Sequence, residues 1–206
     1  MANGLPPLIA QTTSTSGVLK KNGHLTLDQK FTCGTFSVHT VAVSPDSQWL
    51  ALAGYFQGFE LWRLDRLGRS KKVQDLEGNP GGIEALSFSP DGQWLASGSR
   101  GAICLWQKTN RDQFQQVQRL GVQRPTMAIT TITFSSDSKW LASAYTDRSI
   151  SVWRAGPRGW YQETVLPARS LKRIFSIAFS SDGQWLAAAA DDLTVCLWPM
   201  DRIIPA

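Results

Sequence analysis

Histidine and cysteine are scarce in this chain of 206 residues, which has two of the first and three of the second. That shortage removes whole classes of chemistry. His24 and His39 stand apart and outside any HExxH frame, and Cys33, Cys104 and Cys196 form no CxxC pair, so no metal-ligand spacing is present. An odd, scattered set of cysteines is no disulfide framework either, and it points to a reducing, cytoplasmic setting. A Ser-His-Asp arrangement around His39 would lack the GxSxG turn that exposes a nucleophile. The expectation is a protein that is not an enzyme, with no catalytic residue, metal or cofactor to assign.

Long apolar runs are also lacking. None approaches the ~20 residues that span a bilayer, so no membrane segment is expected. Residues 1–23, with Pro6, Pro7 and a Ser/Thr stretch from Thr12 to Ser16, have neither the basic start nor the apolar stretch of a secretory leader, and read as a flexible lead-in. Charge of one sign is not concentrated. The net charge is +5, and the basic residues disperse apart from Arg69-Ser70-Lys71-Lys72 and Lys172-Arg173. Neither cluster is a basic stripe interleaved with aromatics, so nucleic acid is not the expected partner, although the net charge favours acidic ones.

What the chain does have is tryptophan on a ruler. Trp49, Trp94, Trp140 and Trp185 lie 45, 46 and 45 residues apart, and Trp62, Trp106, Trp153 and Trp198 lie 44, 47 and 45 apart. Around the first series the text repeats as VSPDSQWLALAG, FSPDGQWLASGS, FSSDSKWLASAY and FSSDGQWLAAAA; around the second as FELW, ICLW, SVW and VCLW. A repeat of this period is one supersecondary unit stacked four times. In the second unit, IEALSFS is β-rich, Pro90-Asp91-Gly92 supplies a tight turn, and WLASGS and AICLWQK are two further strands. FQQVQRL alternates apolar and polar as an exposed outer strand does. The inner runs are apolar on both parities, which predicts burial on both faces. The expected fold is all-β: a β-propeller of four-stranded antiparallel blades at about 38–78, 83–120, 129–168 and 174–200.

The unit resembles the WD40 repeat, whose third strand ends in an aromatic and whose first two strands flank an SPDG-type turn. The resemblance covers about residues 38–200, and SPDGQWLASGS further resembles bacterial, especially cyanobacterial, arrays. The chain departs from the family after the third-strand tryptophan, where Arg63, Gln107, Arg154 and Pro199 replace the usual Asp, and in having no Gly-His pair before the first strand. The family's buried tetrad joins that His to a turn Asp, a second-strand Ser/Thr and the Trp. The turn position holds Asp147 and Asp192 in units three and four, but Phe56 and Arg100 in units one and two. With no His, blade stability is expected to rest on apolar packing around the eight periodic tryptophans, with Asp147 and Asp192 organising their own turns.

Residues 24–31 read as an outer strand before unit one, while unit four ends in PMDRIIPA with little room for one, leaving 202–206 as a tail. The first segment would then complete the last blade. A closed four-blade ring, two copies joined into an eight-blade ring, and a portion of a longer array all remain open.

The resemblance implies that a partner, a protein or peptide, docks on the face made by loops entering the first strands and turns leaving the second. The first-strand position gives His39, Glu84, Thr130 and Phe175; two residues earlier stand Ser37, Gly82, Ala128 and Arg173; before the turn position stand Tyr55, Ser99, Thr146 and Asp191. These differ between units while the skeleton does not, as in a stiff scaffold with variable tips. Arg173, Phe175 and Tyr55 suit a hot spot by residue type. The ninth tryptophan, in Gly159-Trp160-Tyr161, either covers the edge of unit three or contributes a contact. The leading expectation is an interaction scaffold, the sensor or scaffold part of a larger bacterial signalling protein. The alternatives are a propeller enzyme with a site in its central channel and, more weakly, a nucleic-acid-binding surface.

Overall fold

The computed structural model describes residues 15–16, 29–30, 37–54, 58–65, 69–79, 81–121, 127–167 and 173–203. Seventeen strands and one short helix occur among them. The first two strands, β1 (Thr15–Ser16) and β2 (Gln29–Lys30), pair with each other. Blade one is β3 (Val38–Val43), β4 (Trp49–Gly54), β5 (Phe59–Arg63) and β6 (Lys71–Leu76); blade two is β7 (Ile83–Phe88), β8 (Trp94–Ser99), β9 (Ala102–Lys108) and β10 (Phe114–Gly121). Blade three is β11 (Ile129–Phe134), β12 (Trp140–Tyr145), β13 (Ser149–Gly156) and β14 (Gly159–Pro167). Blade four has β15 (Ile174–Phe179), β16 (Trp185–Ala190) and β17 (Val195–Pro199), followed by helix α1 (Met200–Ile203). In every blade the strands are antiparallel neighbours in chain order.

Of the 24–31 segment expected to complete blade four, Gln29–Lys30 is described, and its partner is Thr15–Ser16. The segment's other residues lie outside the described ones. The tail expected from 202 is corrected at its start: Met200 and Ile203 are buried among Trp140, Ile174 and Leu186. One turn of helix thus brings its apolar residues onto the side of blade four where an outer strand would lie in the other blades.

The turn between first and second strands is built alike four times. Ser44, Ser89, Ser135 and Ser180 each donate their hydroxyl to the Asp two residues on, and each accepts the backbone N–H of the following tryptophan at 2.9 Å. The third turn residue has positive φ in all four blades: Ser47 at 57°, Gly92 at 69°, Ser138 at 58° and Gly183 at 70°. Glycine takes this conformation without strain, whereas a Cβ meets the neighbouring carbonyl. Ser47→Gly is therefore expected to raise stability by roughly 0.3–1 kcal/mol, the relief being partly offset by a more flexible unfolded chain. An unchanged denaturation midpoint would contradict it.

Three clusters hold the blades together, each joining one blade to the next. Phe59 and Leu61 of blade one meet Ile83, Leu86 and Phe88 of blade two, and the same positions recur in the other two clusters. The first two contacts are each finished by an outer-strand aromatic, and the third by Met200 and Ile203 of α1. Phe114 sets edge-on to Trp49 with ring centroids 6.0 Å apart, and Trp160 to Trp94 at 5.8 Å. A glutamine amide on the preceding outer strand grips the backbone of that aromatic at both ends: Gln74 for Phe114, Gln118 for Trp160. Trp160 is thus a buried inter-blade residue, and the exposed ring beside it is Tyr161.

Not every periodic tryptophan is sealed. Trp49, Trp62, Trp106 and Trp153 are buried, Trp94, Trp140 and Trp198 are half-buried, and Trp185 is exposed. The expectation of uniform burial fails at Trp185 because among the described residues no further blade covers it.

Candidate interaction face

The strand pairing gives the first-strand candidates a common structural cause. In all four blades the register between first and second strands slips by one residue, and the residues left over are His39, Glu84, Thr130 and Phe175. A β-bulge kinks the strand and re-aims the extra side chain away from the ladder. His39 and Phe175 are exposed, while Glu84 and Thr130 are half-buried, the Thr130 hydroxyl donating to the Ala144 carbonyl at 3.3 Å. The sequence shows that these positions vary; it does not show that each is the odd residue of a bulge.

Blades three and four also bring the loop candidates together. The Thr146 N–H donates to the Ala128 carbonyl at 2.9 Å, and the Asp191 N–H to the Arg173 carbonyl at 3.0 Å. In blade four the Arg173 guanidinium stands 6.0 Å from the centroid of the Phe175 ring, a cation–π distance. Arg173, Phe175 and Asp191 are all exposed, so a cation, an aromatic and a carboxylate share one corner. Tyr55 lies outside the described residues. Ser99 does not belong to this face: it is fully buried, within 3.3 Å of the Asn79 amide.

Beneath the face, three third-strand indoles find buried polar partners, which corrects the expectation that apolar packing alone supports the blades. Trp106 Nε1 donates to Ser97 Oγ at 2.8 Å, Ser97 Oγ donates to Asn79 Oδ1 at 2.6 Å, and Asn79 Nδ2 donates to the Ser97 carbonyl at 3.1 Å. Gly78-Asn79 thus enters blade two where the resembled family has Gly-His. In blade three, Trp153 Nε1 donates to Ser143 Oγ at 3.0 Å, and Ser143 Oγ lies 2.8 Å from the Tyr145 hydroxyl. In blade one, Trp62 Nε1 donates to the buried carboxylate of Glu60 at 2.9 Å, with Lys72 Nζ 3.5 Å from its other oxygen. A buried N–H is costly to leave unpaired, and these three blades each supply an acceptor for the third-strand indole from what their sequence provides, whereas the buried indole N–H groups of Trp49 and Trp160 have no hydrogen-bond partner. Glu60 in FELW was the legible signal: a carboxylate inside a buried strand needs partners.

The other polar candidates serve the frame. Asp147 accepts from the Ser149 N–H at 3.0 Å and Asp192 from the Thr194 N–H at 3.2 Å, each stiffening its turn. Arg63 and Arg154 lay their guanidinium groups 4.6 Å and 5.4 Å from the ring centroids of Trp49 and Trp140. Of the basic clusters, Arg69 pairs with Asp65, and Lys72 with Glu60 and Asp75.

Cys104 is fully buried, and that burial pushes its thiol up to about 11. Burial also raises the Tyr145 hydroxyl, against the lowering effect of its serine neighbours. Both groups keep their protons to higher pH in the folded chain than in the unfolded one. The Cys104 contribution to stability is therefore complete below about pH 9 and is lost as pH rises towards 11, and the Tyr145 contribution is likewise lost on the alkaline side. Denaturation midpoints measured from pH 8 to about pH 11 should fall in that window, and Cys104→Ser should shift the fall; a flat profile would count against it.

Four antiparallel sheets leaning face to face, each opened by an S-x-D turn and closed by a third-strand tryptophan, are propeller blades. The WD domain, G-beta repeat family matches residues 70–107, 115–154 and 161–199. The chain belongs to the WD40 repeat family. The matched windows run from the outer strand of one blade through the third strand of the next, so sequence repeat and blade are out of phase by one strand.

Among curated proteins, the chain is 32% identical over 133 residues to the small ribosomal subunit protein RACK1z of Arabidopsis thaliana and 30% identical over 133 residues to RACK1 of Brassica napus. Each match covers 58% of this chain and 39% of the relative. It is 29% identical to Protein HIR1 of Kluyveromyces lactis, over 58% of this chain and 17% of that protein. The chain therefore spans well under half the length of these relatives, which are eukaryotic. Among the described residues, no helix is long and apolar enough to cross a membrane, and no group of three or more His, Cys, Asp and Glu is placed to hold a metal ion.

Proposed function

We propose that the chain is a non-enzymatic interaction module that binds a protein or peptide through its bulge-bearing face, with the Arg173–Phe175–Asp191 corner as the strongest contact. The observation that carries this reading is the bulge itself. The same register slip recurs in every blade, yet the residue it presents is His, Glu, Thr or Phe. A constant frame with variable projections is how a repeat protein builds a specific surface. Arginine and aromatics carry a large share of interface energy, and here they stack before any partner arrives. Tyr55 belongs to this proposal as a further contact. The name of the RACK1 relatives, as small ribosomal subunit proteins, fits docking onto a larger assembly. The free thiols of Cys104 and Cys196 fit a cytoplasmic place, and the SPDGQWLASGS phrasing fits the sensing or scaffold part of a larger bacterial signalling protein.

Selection of a displayed peptide library against the folded chain tests the face. Phe175→Ala should leave the melting temperature unchanged and weaken selected peptides at least about tenfold, the loss that about 1.4 kcal/mol of contact energy represents. Binders indifferent to both Phe175→Ala and Arg173→Ala would overturn the proposal.

A further inference from the structure

Among the described residues, blades one and four each leave one half of an inter-blade contact exposed. In the three observed contacts, the third-strand residues one and three places before the tryptophan are buried: Leu61 and Phe59, Leu105 and Ile103, Val152 and Ile150. They pack on the first strand of the following blade. In blade four the same places hold Leu197, 60% exposed, and Val195, 67% exposed, beside Trp185 at 43%. The first strand of blade one shows the converse. Ile83, Leu86 and Phe88 of blade two are buried, and so are Ile129, Ile132 and Phe134 of blade three. Their counterparts in blade one are Val38, Val41 and Val43, which are 38%, 57% and 55% exposed.

We propose that these two faces are the halves of a fourth contact of the same kind, and that the occupant of each is a second copy of this chain. The supporting argument is continuity with an interface the molecule already makes three times. Both faces keep the apolar positions of that interface, and contiguous apolar surface of this kind marks an interaction site. One chain carries one of each face, so a contact between copies is heterologous, the leading face of one on the trailing face of the other. Two copies satisfy both pairs of faces at once and close into eight blades. The rotation then required is about 45° per blade, at the wide-ring end of the four-to-eight-blade range. This pairing uses strand faces rather than bulge residues, so it stands independently of the Arg173–Phe175 reading.

Sedimentation of the purified full chain is the test. The wild type should run at twice the 22.7 kDa chain mass. Leu197→Lys and Val41→Lys should each run at the single-chain mass. Circular dichroism melts should confirm that both fold, and the milder Leu197→Ser and Val41→Ser should weaken pairing in the same direction. Mixed in equal amounts, the two lysine variants should regain a two-chain species, because one leading and one trailing face remain intact between them. A wild type that stays single-chain across the accessible concentration range would overturn the proposal. So would a variant that pairs with itself, which indicates like-on-like contact, or a wild type that grows into open-ended polymers.

Discussion

Replacing Trp106 with alanine is expected to lower the free energy of unfolding by about 3–5 kcal/mol, the usual cost of emptying a packed aromatic site. The indole lies between blades one and two, edge-on to Phe59 at 5.3 Å, and is almost wholly removed from solvent. Its removal opens a void in the cluster that joins the two blades and leaves Ser97 Oγ without its donor. Trp106→Phe separates the two losses, since it keeps most of the ring volume and drops only the hydrogen bond. Chemical denaturation reads both variants. A shift below about 1 kcal/mol for the alanine variant would show that the site collapses freely or is less buried than its contacts require.

The second large effect is expected at Asn79, a residue whose importance lies in its partners. Asn79→Ala removes the acceptor for the Ser97 hydroxyl and the donor that reaches the Ser97 carbonyl and Ser99 Oγ. Leaving buried polar groups unpaired costs about 1–3 kcal/mol, and the loss should fall in that range. Because Asn79 and Ser97 belong to one network, the double variant Asn79→Ala with Ser97→Ala should cost less than the two single variants together. Additive costs would mean that the two residues act separately and that blade two has no polar anchor under Trp106.

The comparison with the expected family tetrad is instructive here. The absence of His before the first strand suggested that the buried polar link was gone. The link survives in blades two and three with different members, Asn79 in one and Tyr145 in the other, while blade one substitutes a carboxylate on its own third strand. What is retained in blades one to three is an acceptor for the buried third-strand indole N–H rather than the residue that supplies it. In blade four Ala188 stands at the place of Ser97 and Ser143, and Trp198 is correspondingly only half-buried.

The repeat of Trp and S-x-D text determined the blades, their strands and their turns, because those features are local. A short β-rich run bounded by turn residues, a serine and aspartate two apart, and a residue able to take positive φ act over a few positions in any context. The same text marked His39, Glu84, Thr130 and Phe175 as variable, and named Arg173, Phe175 and Asp191 as loop candidates. Only the tertiary structure decided that the first four are bulge residues, that Arg173 and Phe175 stack, that Trp160 is core, and that Trp185 stands exposed. Each of these depends on which blade packs against which, and on partners distant along the chain. A side chain's burial and hydrogen-bond partners belong to the assembled neighbourhood, which no local pattern specifies.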